Sequence, residues 1–214
     1  LEKLPSIAKL AEFIESALPE TDQTAPPAAT QVREEMDAIP ATDISLATTD
    51  AQREVWLASL IDDDVSRTYN EARLLRLTGF LDVDALRRAL QYIVDRHDAL
   101  RATIAADGGA QLIRSNVKVD LPVEPVFVSD ASDAVEDKFE GLLSDSIALV
   151  FNLEEGPLFR FRAYQLGNDK WAVLLVAHHV VADGWSWAVI LDELGEIYSA
   201  FASGKEPPQT PRLL

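Results

Sequence analysis

Between Trp171 and Ala177 the chain is apolar without interruption, the pattern of a strand covered on both faces and therefore central in its sheet. Just upstream, Phe159, Phe161 and Ala163 alternate with Arg160, Arg162 and Tyr164, which is the period of a half-buried strand. Gly167-Asn168-Asp169 supplies the turn between these two segments. A further strand is expected over 73–78, and residues 100–114 read as a hairpin turning at Asp107-Gly108-Gly109. Helical spacing fills the gaps. Thr49-Asp50-Ala51-Gln52 is a capping box opening a helix that runs to about Ile61. Asp82 caps a second, whose Val83, Leu86, Leu90, Ile93 and Val94 form one apolar stripe ending near Arg96-His97-Asp98. A third covers roughly 132–148. From Trp187, the positions Ile190, Leu191, Leu194, Ile197, Tyr198 and Phe201 mark a fourth, closed by Gly204 and Pro207-Pro208. The pattern predicts a mixed α/β (α+β) domain with helices packed on a sheet.

The first 40 residues follow other rules. Leu4, Ile7, Leu10, Ala11 and Ile14 give a short amphipathic helix within residues 1–18, too short to stand alone. Residues 19–40 then turn to Pro, Ala, Thr and acid, the composition of a linker, so a domain boundary is expected there. Residues 41–214 form the main domain.

Composition narrows the function. An apolar content of 48% supports a packed core, and a net charge of −17 repels phosphate backbones, which argues against a nucleic-acid partner. No apolar run is long enough for a membrane span, and no signal peptide is recognisable. A first residue of Leu rather than Met suggests excision from something longer. The absence of cysteine removes disulfides, thiolate metal sites and a cysteine nucleophile, and fits a cytoplasmic protein.

The segment His178-His179-Val180-Val181-Ala182-Asp183-Gly184-Trp185-Ser186 stands apart. It holds two of the three histidines in the chain, at the end of the central strand and the start of a helix. If strand geometry persists through the pair, the two rings face opposite sides, so His178 and His179 cannot share one task. Gly184 permits close approach of a ligand, and the amides opening the next helix carry partial positive charge that favours an oxyanion. Such a site suits acyl transfer. On spacing alone the pair fits a structural role as well as a catalytic one. A metal site is disfavoured, because neighbouring strand histidines diverge and no third ligand has zinc-like spacing.

His178-His179-x-x-x-Asp183-Gly184 resembles the HHxxxDG signature of the condensation-domain and chloramphenicol-acetyltransferase-like superfamily. Thr49-Asp50-Ala51-Gln52-Arg53-Glu54-Val55-Trp56-Leu57-Ala58 resembles the first condensation-domain motif, and Arg96-His97-Asp98-Ala99-Leu100-Arg101 the second, in the family's order. The resemblance implies a chloramphenicol-acetyltransferase-like lobe with a central mixed sheet. It also implies amide formation in a nonribosomal peptide synthetase, where an acceptor aminoacyl thioester attacks a donor acyl or peptidyl thioester. His179 is then the catalytic residue, set against the attacking amine. His178 is structural, Asp183 pairs with Arg96 or Arg101 to fix the loop, and Gly184, Arg96 and Arg101 support the site. Trp185 is expected to pack rather than to recognise a ligand. No cofactor is bound by the chain itself; the substrates hang on the phosphopantetheine arms of donor and acceptor carrier domains.

Leu4-Pro5-Ser6-Ile7-Ala8-Lys9-Leu10-Ala11 resembles the last helix of such a carrier, whose phosphopantetheine serine would lie upstream of residue 1. Condensation domains contain two lobes with the site between them, so this chain corresponds to the amino-terminal lobe and needs the second lobe as partner. Three alternatives share the His motif or its setting: an epimerization domain, a coenzyme A-dependent acetyltransferase, and a non-catalytic carrier-docking domain.

Overall fold

A computed structural model describes residues 42–126 and 132–208. The helix expected in residues 1–18 and the linker over 19–40 lie outside them. Four strands, β2 (Asn70–Thr78), β5 (Val123–Pro125), β6 (Phe159–Gln165) and β7 (Lys170–His178), form a sheet of order β2-β7-β6-β5. Both pairs made by β7 are antiparallel and β5 runs parallel to β6, so the sheet is mixed. The uninterrupted apolar segment is β7, and it lies between β2 and β6 with Ala172 to Ala177 at most 1% exposed.

Side-chain alternation divides the helices between the two faces of this sheet. Leu75 and Leu77 of β2 face α3 (Val83–Arg96) and α5 (Gly184–Ala202), meeting Leu86, Leu191 and Leu194. Arg76, one position out of phase, lies on the other face over the Phe139 ring of α4 (Ser132–Ala148) and pairs with Glu136. Arg160 and Tyr164 of β6 share that face, the first donating to the carbonyls of Ser146 and Leu149, the second joined to the Ser146 hydroxyl. The apolar stripe of α3 is fully buried at Ala89, Leu90, Ile93 and Val94, and each of the Leu, Ile and Val side chains stabilises the fold by about 1.5–3 kcal/mol.

A second, smaller sheet joins β1 (Ile44–Ala47), β4 (Ala110–Ile113) and β3 (Ala102–Ile104) in the order β1-β4-β3, all antiparallel. The expected hairpin is β3 and β4, and Gly108 at its turn has a φ of +66°. A methyl group there would come within 2.3 Å of the Trp56 ring. Trp56 belongs to α1 (Asp50–Ser59), which begins with the expected capping box: the Gln52 amide donates to the Thr49 hydroxyl, and the Thr49 amide to the Gln52 side chain.

Several boundaries differ from the sequence reading. The strand expected over 73–78 starts at Asn70, because the polar Asn70, Glu71 and Arg73 pair along β7 as regularly as the apolar residues do. The helix ending near Ile61 stops at Ser59, and α5 starts three residues before Trp187, with Asp183 as its cap. β1, β5 and the six-residue α2 (Asp63–Thr68) were not anticipated, since segments of three to six residues are too short for a periodic signal.

A void of about 30 Å³ lies between the sheet and the two packed helices, lined by Leu75, Leu77, Leu86, Val173, Leu191, Leu194, Gly195 and Tyr198. A methyl at Gly195 would meet nothing within 4 Å. Gly195→Ala is therefore expected to stabilise the fold by about 1 kcal/mol through helix propensity alone, read as a raised denaturation midpoint; a lowered midpoint would show that the helix surface has no room.

Candidate active site

The ladder between β7 and β2 continues past the last strand residue, where the His179 amide donates to the Tyr69 carbonyl at 2.8 Å. Strand geometry thus reaches both histidines and turns them to opposite faces. His178 is fully buried, with Phe151 edge-on at 6.1 Å and Tyr69 at 5.9 Å between ring centroids. Its Nδ1 accepts from the Val180 amide at 3.3 Å, which leaves the proton on Nε2, 3.5 Å from the Ser59 hydroxyl. Burial, and secondarily the charge of His179, pushes its pKa down to about 4. His178 is therefore neutral near pH 7 and built into the core.

His179 opens to solvent, with 39% of its side chain exposed. Its Nδ1 lies 2.9 Å from Glu71 Oε1 and 3.2 Å from the Ala182 carbonyl oxygen, and the Tyr69 ring stacks beside it. A carboxylate and a carbonyl only accept, so Nδ1 carries a proton, and in the neutral ring the Nε2 lone pair is left free. That is the form of imidazole able to receive a proton from a nucleophile.

The first motif segment reaches the loop after His179, and the second reaches the helix that follows it. Gln52 of α1 donates through Nε2 to the Gln111 side chain at 3.1 Å and reaches the Val180 carbonyl at 3.5 Å. Arg96 Nε and His97 Nε2 meet the two carboxylate oxygens of Glu193 on α5 at 3.0 and 2.7 Å. Burial alone would raise the Glu193 carboxyl, but the His97 hydrogen bond and the His97 and Arg96 charges together hold it below its ordinary value. This clamp joins the end of α3 to α5.

Three expectations are corrected here. Asp183 does not pair with Arg96 or Arg101. Its carboxylate accepts from the Ser186 amide at 2.8 Å and the Ser186 hydroxyl at 2.7 Å, which with the nearby His179 charge holds its pKa below the ordinary value despite a small opposing effect of burial. Arg96 is turned to Glu193, while the fully buried Arg101 side chain binds Asp98 and the Arg114 carbonyl. Second, the opening amides of α5 are only partly open to an oxyanion, because the Asp183 carboxylate takes that of Ser186 and the Asp183 carbonyl that of Trp187; a methyl at Gly184 would meet nothing within 4 Å. Third, Trp185 is 82% exposed, and the packing tryptophan is Trp187, 2% exposed. Asp183→Ala is expected to cost about 1 kcal/mol as a lost helix cap, measured by denaturant unfolding; no loss would mean that Ser186 caps the helix unaided.

Sequence reasoning missed Glu71 and Glu193. Both carried a signal. Glu193 sits three residues after Ile190 and four before Ile197, inside the apolar stripe of α5, and Glu71 shares the helix-covered face of β2 with Leu75 and Leu77. An acid on a core-facing position calls for a partner.

Among the described residues no helix is long and apolar enough to cross a membrane, and no group of three acidic or histidine side chains is placed to hold a metal.

Residues 44–212 match the family model of the condensation domain. Chondramide synthase cmdD of Chondromyces crocatus is 33% identical over 174 residues, covering 80% of this chain and 4% of that protein. The dimodular nonribosomal peptide synthase of Bacillus subtilis (strain 168) is 31% identical over 161 residues, 75% of this chain and 7% of that protein. The crystal structure of the starter condensation domain of rhizomide synthetase RzmA matches with a TM-score of 0.69 and 25% identity, over 78% of this chain and 40% of that one. The chain thus spans a small part of the curated relatives it matches and less than half of the solved domain. With a mixed sheet under paired helices, the histidine pair at the end of its central strand and a family model matched from β1 to beyond α5, this chain belongs to the condensation domain family.

Proposed function

We propose that the chain is the amino-terminal lobe of a nonribosomal peptide synthetase condensation domain, and that the completed domain forms an amide between two carrier-bound thioesters. The observation that carries this reading is the placement of His179 at the solvent-exposed end of the central strand, with its Nδ1 held by two acceptors so that the neutral ring leaves Nε2 free. The acceptor amine attacks the donor thioester carbonyl; a C–N bond forms and the C–S bond breaks. The amine proton passes to Nε2 of His179 and from there to the departing thiolate of the donor arm, so no external acid or oxidant is needed.

Partners follow from the same reading. Donor and acceptor carriers present their phosphopantetheine arms, which are substrates rather than cofactors of this chain. Several large apolar side chains of the lobe are exposed: Leu57 on α1, Leu60 and Ile61 just after it, Leu149 beside Asn70, and Trp185 two residues after the Asp183 cap. Such surface is usually covered in the working protein, and we assign the second lobe to it. Residues 1–18 fit the last helix of an upstream carrier and 19–40 its linker. A chain without cysteine suits the reducing cytoplasm, where we place it, and its net charge of −17 leaves nucleic acid out.

The test uses the parent synthetase with both carriers loaded with isotopically distinct groups, and follows products by mass. An amide carrying the donor group on the acceptor arm supports the reading. Exchange of the α-proton without amide formation would make it an epimerization domain, acyl transfer from coenzyme A an acetyltransferase, and no chemistry at all a docking domain.

A further inference from the structure

We infer that Glu71 is the positioning residue of His179, fixing its ring tautomer and standing beside the imidazolium that forms when Nε2 takes up a proton. This rests on the catalytic reading of His179, and it concerns a residue outside all three sequence motifs. Glu71 lies on β2 opposite Ala177, on the same face of the sheet as His179, and its Oε1 is 2.9 Å from Nδ1. Its other oxygen, Oε2, is 3.4 Å from the Arg73 guanidinium, which in turn lies 5.5 Å above the buried Trp187 ring. The carboxylate is 25% exposed and is thus held from two sides.

The arrangement has the logic of a nucleophile, base and orienting acid, in which the acid fixes the tautomer without itself taking the proton. The Ala182 carbonyl, at 3.2 Å, accepts from the same Nδ1–H but carries no net charge. It can hold the ring, whereas Glu71 is the carboxylate in direct contact with it and opposes the positive charge that develops there, with Asp183 acting from further off. Arg73 sets the direction of the pair, because its guanidinium donates only and so demands an acceptor from position 71.

That demand makes Glu71→Gln informative. With its amide oxygen turned to Arg73, the glutamine presents NH₂ to His179, which favours a bare Nδ1 and a protonated Nε2. The chain has only three histidines, so ¹⁵N-histidine labelling of the full chain, with assignment by loss of the His179 signals, reads the tautomer directly. The expected result is the Nδ1–H form in the native chain, a shift toward Nε2–H in E71Q, and an intermediate population in E71A, where the Ala182 carbonyl remains. In the parent synthetase, kcat for amide formation falls about tenfold or more in E71Q with little change in the acceptor KM. A native tautomer and native kcat in both variants would overturn the inference and leave Glu71 as a strand-surface ion pair with Arg73. His179→Ala run alongside separates the two levels: full activity in that variant refutes the catalytic reading, while the tautomer measurement still decides whether Glu71 orients the ring.

Discussion

In a complete condensation domain supplied with two loaded carriers, His179→Ala is expected to slow amide formation by about 10²–10⁴-fold, the usual contribution of a positioned general base. The effect should appear in rate and not in folding. With 39% of the side chain exposed, truncation opens no cavity in the core, and the strand ladder runs through the backbone amide of His179, which the substitution keeps. Quenched-flow measurement of amide product, paired with thermal unfolding, separates the two. An unchanged rate would mean that placement of the two thioesters carries the reaction and that the imidazole only shapes the loop. His178→Ala makes the useful contrast. It empties a fully buried site between Phe151 and Tyr69 and should show first as lost stability.

The second large effect is a loss of stability on acidification that belongs to His178. In the unfolded chain its ring titrates near 6.5, and in the folded protein near 4, chiefly because burial disfavours the charged form. Above pH 6.5 neither state holds the proton. Between 6.5 and 4 the unfolded chain binds it and the folded chain does not, so stability falls with pH, by about 3 kcal/mol once both states are protonated. The carboxylates act in a different window. Glu193 and Asp183 have folded pKa values held below their ordinary ones, so their contribution is complete above the ordinary carboxylate value and fades only below it. Denaturant unfolding at pH 7.5, 6, 5 and 4.5, for the native chain and for His178→Asn, isolates the histidine. The variant is expected to be weaker at neutral pH but much flatter across the interval. Parallel curves for the two proteins would show that His178 is protonated in the folded state after all.

The same contrast runs through the fold. Interactions between residues a few positions apart were legible in the sequence: the Thr49–Gln52 box, the Asp82 cap of α3, the Gly204 stop and the unbroken apolar run of β7. These depend on local hydrogen bonds and on the 3.6 and 2.0 periods, which a linear pattern records. The divergence of His178 and His179 was legible for the same reason, since it needs only that the strand continue. Asp183 shows the limit of analogy. Its spacing to Ser186 states a helix cap in plain terms, yet the family resemblance suggested an arginine partner that the Ser186 hydrogen bonds leave unfulfilled.

The sequence by itself determined the class of fold, the order of the main elements, the position of His179 at the end of the central strand and the family. Tertiary structure alone decided what surrounds that histidine. Glu71 and His179 stand 108 positions apart, and Arg96 and Glu193 stand 97 apart; these pairs meet only because β2 takes one register against β7 and α3 one packing against α5. A shift of a single residue in that register would turn Glu71 to the opposite face of the sheet. Register is set by the whole core at once, through the burial of every side chain on both faces. No short stretch of sequence contains it.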